Sequence, residues 1–505
     1  MATRPVLEER RPRTGWLANG TALSLEAVAA RPLQDLTAIA IDARDRGKHL
    51  IALFPFRDGA RARLLLVTGE AMSARLSATA FELEGERGWP SITPLWPEAH
   101  LFEREIHEGW GLVPEGHPWL KAVRGHRELE VPPRSPPHPF LRAEGEGVHE
   151  VAVGPIHAGI IEPGHFRFQC FGEEILHLEI QLGYQQRGAE ELLENANPAR
   201  RMVVAESIAG DTAVGHALAY CTALEGLSGT RVPLRAQAVR GLALELERVC
   251  NHVGDLGALC NDVGYLPGAA YFGRMRGDFL NLLMELSGNR YGRSLLVPGG
   301  VRFDFTQALQ ARVLRTLDAG EGQLRDTFRL MVTTPSVLSR FEGTGVVSKE
   351  SALELGFVGP TARACGVARD VRTDHPSGVF QFTHVPVAIA EEGDVMARAN
   401  IRWLEVLRSL RFIREQVSRL PDGPVRVALH PPAPSSMTAA LVEGWRGEIA
   451  HVVVTDGNGS VVRHKVVDPS FHNWLALALS VRGAQISDFP LCNKSFNLSY
   501  AGHDL

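Results

Sequence analysis

The chain has 505 residues, of which 22% are charged and 45% hydrophobic, enough at about 150 residues per domain for two to four domains with ample core. A net charge of −5 argues against a general nucleic-acid binder, which carries a basic excess or stripe. No run reaches the roughly 18 apolar residues that cross a bilayer, and the N-terminal MATRPVLEERRPRTGW lacks the apolar core of a secretory signal.

Residues 1–125 read as a small α+β domain. The apolar clusters Leu36–Ile41, Leu50–Phe54 and Arg63–Val67 predict short strands, and Ala71–Phe81 and Leu101–Gly109 predict helices. VPPRSPPHP follows, with five prolines between Pro132 and Pro139. Proline fixes φ and removes a donor, so 126–149 is expected to be an extended connector. From 150 the pattern changes. Phe166, Phe168 and Cys170 alternate with polar residues, then Leu176, Leu178, Ile180 and Leu182 do the same after a GEE turn. That is a β-hairpin with one buried face per strand. Helical periods then dominate, near 200–225, 238–259, 272–288, 305–330 and 393–418. In 238–259 Leu242, Leu246, Val249, Val253 and Leu256 form an apolar stripe. Glu245, Arg248, His252 and Asp255 form a polar stripe on another face, which reads most simply as a solvated surface. PDGP and PPAP break the pattern at 421–434, and HVVVT and VVRHKVV form a second hairpin across a DGNG turn.

The six cysteines (Cys170, Cys221, Cys250, Cys260, Cys365 and Cys492) are scattered, and no two stand in CxxC spacing. The chain therefore carries no local thiolate clamp for zinc or an iron–sulfur cluster, and a reduced cytoplasmic setting fits best. His157 and His165 flank a Gly-rich loop containing Glu162; a metal site is conceivable, but an eight-residue gap in a loop is not a ligand signature, and loop histidines are more often hydrogen-bonded structural groups. Arg187 and Glu190 lie one helical turn apart at a helix start, where an ordinary exposed ion pair is the simplest reading. Arg446 stands alone in the Gly- and Trp-rich EGWRGE. No P-loop, GxGxxG context or nucleophile–base pair is present.

Taken together, GPIHAGIIEPGHFRF, LGYQQRGAEELLE, ELERVCNHVGDLG, GNRYGRSLLVPGGV, FEGTGVVSKESALELGFVGPTARACGVARDVRTDHP and DPSFHNWLAL resemble the large subunit of energy-converting, membrane-bound nickel–iron hydrogenases and the related 49-kDa-type subunit of respiratory complex I. LFEREIHEGWGLVPEGHPWLK resembles the 30-kDa-type subunit of complex I, here fused ahead of the large subunit as in formate hydrogenlyase. The resemblance implies an α+β chain: a small α+β domain over 1–125, a linker over 126–149, and a hydrogenase-large-subunit-like domain over 150–505 with a central helical bundle and peripheral β-hairpins.

Active hydrogenases of this family hold nickel and iron with two CxxC cysteine pairs. The matching stretches here are ESIAGDTAVGH and NLSYAGHDL, with Ala209, Thr212, Ser499 and Gly502 at the thiolate positions. Alanine and glycine supply no side-chain donor, and neutral hydroxyls suit a soft metal site poorly. The resemblance therefore implies a cysteine-less subgroup with no nickel–iron centre and no cofactor bound by this chain itself. In the complex I branch the same cavity is a quinone headgroup pocket beside a partner's iron–sulfur cluster. That likeness makes His157 and Glu190 the candidate proton donor and relay. It sets Arg187, His252 and Arg446 around the former cavity or facing the partner cluster. Gln186 stands where the family's HRG has histidine, which alters that proton chemistry. The implied partners are an iron–sulfur small subunit, a ferredoxin-like subunit and antiporter-like membrane subunits, with this chain peripheral on the inner face of the cell membrane. The expected function is electron transfer in such an oxidoreductase, with quinone or another small acceptor in the remodelled cavity. The alternative is a non-catalytic subunit that couples conformational change.

Overall fold

A computed structural model describes residues 15–125 except 29, 60 and 84, together with 140–157 and 161–505. Most of the expected connector, 126–139, lies outside the described residues.

Strand pairing organises the first unit. The antiparallel strands His49–Asp58, Arg61–Glu70 and Arg75–Glu82 lie side by side. Gly15–Ala18 pairs with the far edge of Arg75–Glu82, and Ala30–Arg31 runs parallel to the same strand. Two expectations need correcting here. Ala71–Phe81 is not a helix: only Ala71–Ser73 makes a 3-10 turn before the strand Arg75–Glu82. Its alanines favour helix weakly, but pairing on both edges outweighs so small a preference. Leu36–Ile41 is not a strand but the start of the helix Leu36–Asp45. Its buried residues, Leu36, Ala40 and Ala43, recur at helical spacing. The second expected helix is present as His100–Trp110.

The C-terminal hairpin belongs to a larger sheet. Val461–Val467, Gly447–Thr455 and Ser436–Gly444 are adjacent, and Ala22–Ser24 from the first unit adds a fourth strand. Alternation assigns the two faces. Met437, Ala439, Leu441, Ala450, Val452 and Val454 share a core with Phe54 and Leu65 of the first sheet. Val442, Ile449 and Val466 face the helical core. Both central strands are buried along their length, so this hairpin is interior rather than peripheral.

The helical core is built from Ala213–Ser228, Leu234–Asp262, Leu266–Ser287, Gln307–Thr333 and Val395–Ser418. The helical period expected over 200–225 is two helices, Pro198–Ser207 and Ala213–Ser228, with the break at Ile208–Thr212. The hairpin His165–Phe171/Glu174–Gln181 forms as expected and gains a third strand, Val148–Val153, which begins inside the expected connector. Its inner face packs on Trp474, Leu477 and Phe489.

The polar stripe of Leu234–Asp262 is a correction of larger consequence. Glu245, Arg248, His252 and Asp255 are not solvated but buried, at 0–3% exposure. The helix Val395–Ser418 lies against them and presents Arg402, Glu405 and Ser409, so charge meets charge between two packed helices.

Candidate functional site

The break between Pro198–Ser207 and Ala213–Ser228 carries Ala209 and Thr212, the latter linked by Arg446 to the C-terminal segment, where Ser499 caps the short helix Tyr500–Asp504 that contains Gly502. Each of these four positions is occupied in a way that suits no thiolate-bound metal. Ala209 is fully buried and has no donor. The Thr212 hydroxyl donates to Asp211 at 3.2 Å and accepts from Arg446 at 3.1 Å. The Ser499 hydroxyl accepts from the Gly502 amide at 2.9 Å, capping its helix. A Cβ built at Gly502 would stand 2.6 Å from the Asp468 carboxyl carbon. Asp468 therefore fills the space that a cysteine side chain would need. Cys492 faces Gly345 and Arg398. Burial pushes its thiol up to about 11, and Arg398 only partly opposes this. The donor set does not fit a nickel–iron centre.

Arg446 is the largest cation of this region. It sits in the two-residue turn between Ser436–Gly444 and Gly447–Thr455. Its guanidinium donates Nη1 and Nη2 to the two Asp211 carboxylate oxygens at 2.5 and 2.9 Å, and Nε to the Asn497 carbonyl at 2.6 Å. It stacks on Trp445 with the charge 3.9 Å from the ring centre. Burial alone would raise the Asp211 carboxyl, but the adjacent guanidinium holds it below its ordinary range. Nearby, Glu247 accepts from the Val214 and Gly215 amides at 2.7 and 3.1 Å, where Ala213–Ser228 begins. Without a cationic partner in direct contact, burial pushes Glu247 up to about 8.

His252, expected at the cavity, belongs to the interhelical network. Its Nε2 lies 2.8 Å from Glu405, and its ring meets Trp445 edge-on. Its buried Nδ1 has no hydrogen-bond partner among the described residues. Glu405 is shared with Arg363, which also donates to Glu443 at 2.7 Å. Arg372 ties Asp370 to Glu245. Asp255 joins this network to the C-terminal segment, accepting from Arg402 at 2.8 Å and from Asn497 at 2.7 Å. A cavity of about 600 Å³ opens beside Arg372 and Glu443, between the first unit and the helices.

His157, Arg187 and Glu190 occupy three different environments. His157 is half-buried, its Nε2 2.9 Å from the Gly164 carbonyl, in a loop whose Gly164 abuts the Tyr500 ring. Arg187 is exposed. It donates to the carbonyls of Ser207 and Ile208 at 2.7 and 2.9 Å, so it caps the end of the helix preceding Ala209. Glu190 points elsewhere. It pairs with Arg463 at 2.6 Å and Lys465 at 3.0 Å and accepts from the Val466 amide. Burial opposes its charge, yet the two cations hold the carboxyl far below its ordinary range. Arg187 and Glu190 therefore do not share one side of a helix. The left-handed Gly188 separates Arg187 from the helix Ala189–Asn195 that carries Glu190.

Several groups of the site escaped sequence reasoning. Asp211 lies between two quoted positions, and Asp468 opens the quoted DPSFHN. His216 joins Asp468 at 3.0 Å and the strand residue His451 at 3.2 Å, which in turn meets His464 at 2.9 Å. The only available signal was alternation: His451 and His464 share the face of their strands that carries Ile449 and Val466 towards the helices.

Comparison with known proteins agrees with this architecture. Residues 262–438 and 428–504 match the family "Respiratory-chain NADH dehydrogenase, 49 Kd subunit". Residues 29–140 match "Respiratory-chain NADH dehydrogenase, 30 Kd subunit". The chain is 34% identical over 350 residues to the carbon monoxide-induced hydrogenase of Rhodospirillum rubrum, covering 69% of this chain and 97% of that one. It is 30% identical over 436 residues to formate hydrogenlyase subunit 5 of Escherichia coli, covering 82% of this chain and 77% of that one. A chain in the solved structure of the membrane-bound sulfane sulfur reductase, an archaeal respiratory membrane complex, superposes with a TM-score of 0.67 at 26% identity. That superposition covers 72% of this chain and 100% of the other. The chain belongs to the family of membrane-bound hydrogenase large subunits and complex I 49-kDa subunits, with a 30-kDa-type domain fused ahead of it.

Proposed function

We propose that this chain is the large subunit of a membrane-associated, complex I- and hydrogenase-related oxidoreductase. In this reading it has lost the nickel–iron site, and the remodelled region receives a quinone or another small acceptor beside an iron–sulfur cluster of a partner subunit. One observation carries the reading. Beside two of the four cysteine-less positions, Thr212 and Gly502, stand ionisable, hydrogen-bonded groups, Arg446 with Asp211 and Asp468 with His216. Buried charge of this kind costs stability relative to apolar packing, so its presence favours chemistry over scaffolding.

The roles divide by position. His157 donates a hydrogen bond or proton to a reduced carbonyl at the loop mouth. Arg446 supplies a positive edge to the pocket, and His252 stands behind it against Trp445. Arg187, exposed next to the break at Ala209, faces the partner and tunes its cluster electrostatically. Glu190, held as an anion by Arg463 and Lys465, sets local charge. No described helix is long and apolar enough to cross a membrane, so the chain would attach peripherally. Its partners in this reading are an iron–sulfur small subunit, a ferredoxin-like subunit and antiporter-like membrane subunits, on the inner face of the cell membrane.

The test uses the native complex. Acceptor-dependent oxidation of reduced ferredoxin or a nicotinamide donor is expected, falling at least tenfold in His157→Ala, with no stoichiometric nickel by elemental analysis. Stoichiometric nickel would overturn the reading. A second reading is a non-catalytic coupling subunit, favoured by the direct Arg446–Asp211–Thr212 lock, which engages one of the four cysteine-less positions in structural hydrogen bonds. A complex with no acceptor turnover and an unaltered His157→Ala variant would select it.

A further inference from the structure

Three imidazoles and a carboxylate form an unbroken line through the interior. His464 Nε2 lies 2.9 Å from His451 Nδ1, His451 Nε2 lies 3.2 Å from His216 Nδ1, and His216 Nε2 lies 3.0 Å from Asp468 Oδ2. The three rings are 0–1% exposed. Each contact joins a Nε2 to the next ring's Nδ1, so the line has one direction. Asp468 as a carboxylate only accepts, which places the His216 proton on Nε2 and leaves Nδ1 to accept. The same assignment then propagates to His451 and His464, all three neutral and all donating towards Asp468. Burial holds His451 well below its ordinary range and brings His464 to about 3, in keeping with neutral rings.

The two ends are chemically distinct. At the inner end, Asp468 lies against Gly502, one of the four cysteine-less positions, and Arg446 favours its charged form. At the outer end, the Tyr220 ring stacks on His464 at 5.8 Å. Around that end stand Arg201, Arg463 and the partly exposed carboxylates of Glu190 and Glu194. The neighbours of these rings on the sheet face, Ala440, Val442, Ile449, Val453 and Val466, are apolar. Three histidines on such a face cost desolvation that valine or leucine would not.

We propose that His464, His451, His216 and Asp468 are a proton wire that conducts from the Glu190–Glu194 edge to the remodelled pocket. It rests on the reading of that pocket as an acceptor site. A proton taken up at His464 Nδ1 releases the Nε2 proton to His451 Nδ1. His451 passes its own Nε2 proton to His216, and His216 passes its Nε2 proton to Asp468. One proton enters and one arrives on the carboxyl, from which a reduced acceptor in the remodelled pocket takes it. The rings end as Nδ1–H tautomers, and ring rotation resets them.

Two measurements test this. In the full chain labelled with [15N]histidine, the three rings should be neutral Nε2–H tautomers, and His451→Gln should shift the ring resonances of both His216 and His464. Opposed tautomers, or no shift in either neighbour, overturn the wire. In the native complex, with decylubiquinone as probe, His451→Gln and His464→Gln should lower turnover at least tenfold and enlarge the solvent deuterium effect. Reduction of the partner's cluster, followed by electron paramagnetic resonance, should stay unchanged, and added imidazole should restore turnover to His464→Ala. Unchanged turnover in His451→Gln overturns the wire. Wild-type complex without quinone turnover instead defeats the acceptor reading, and the resonance measurement then decides the wire alone.

Discussion

Arg446 clasps Asp211 with both terminal nitrogens, at 2.5 and 2.9 Å, and thereby bridges the hairpin turn of the buried sheet to the break before Ala213–Ser228. A planar fork on a carboxylate is a geometry that lysine cannot reproduce. Arg446→Lys should therefore cost about 1–3 kcal/mol in urea unfolding of the full chain, the value of hydrogen bonds to a charged group. An Arg446→Lys variant as stable as wild type would show the clasp to be incidental.

Arg363 is fully buried between Glu405 and Glu443. Removing the cation takes from Glu443 its direct ion-pair partner and leaves Glu405 with His252 and Arg248. Arg363→Met is expected to destabilise by about 3–5 kcal/mol, the cost of breaking a buried pair from one side. Thermal unfolding measures this directly, and a loss below about 1 kcal/mol would contradict the network's role in tying the helix Val395–Ser418 to the strand Ser436–Gly444.

Glu247 gives a pH signature. Its folded-state pKa of about 8 lies above its ordinary 4.5, so the folded chain binds this proton more tightly than the unfolded chain does. Stability owed to this group is fully present below about 4.5 and is lost as pH rises towards 8. The stability of wild type minus that of Glu247→Gln should thus decline across that window, by at most about 1.4 kcal/mol per pH unit. A difference independent of pH from 5 to 8 would refute the assignment.

Gly502 has no room for a side chain, because Asp468 Cγ lies 2.6 Å from where its Cβ would be. Gly502→Ala should cost about 1–3 kcal/mol by overpacking. Ser499→Cys should cost about 1 kcal/mol through the lost helix cap. Restoring cysteine at all four positions should therefore weaken the fold without recruiting nickel, as denaturation and elemental analysis of that variant can show.

Much of the architecture was legible in the sequence because it rests on local periodicity. The hairpin at 165–181, the stripe Leu242–Leu256 and the helices of the core follow from apolar residues repeating at two or at 3.6 residues. That Ala209, Thr212, Ser499 and Gly502 carry no thiol was legible too, since this is a property of residue type. Ala71–Phe81 and Leu36–Ile41 were misread because short apolar runs rich in alanine hold little propensity, and pairing or packing with distant segments decides them. The stripe Glu245, Arg248, His252 and Asp255 was misread for a related reason: a polar face looks the same in sequence whether it meets water or another charged helix.

By itself, then, the sequence determined that Ala209, Thr212, Ser499 and Gly502 carry no thiol, and which family's framework the chain would adopt. Only the tertiary structure decided what surrounds those positions. Asp468 beside Gly502, Arg446 on Asp211, and the line from His464 through His451 to His216 join residues hundreds of positions apart or on adjacent strands. No periodicity encodes such meetings. They arise when both faces of the C-terminal sheet are buried, one against the first unit and the other against the helices. Every polar group on those faces must then find its partner inside the protein.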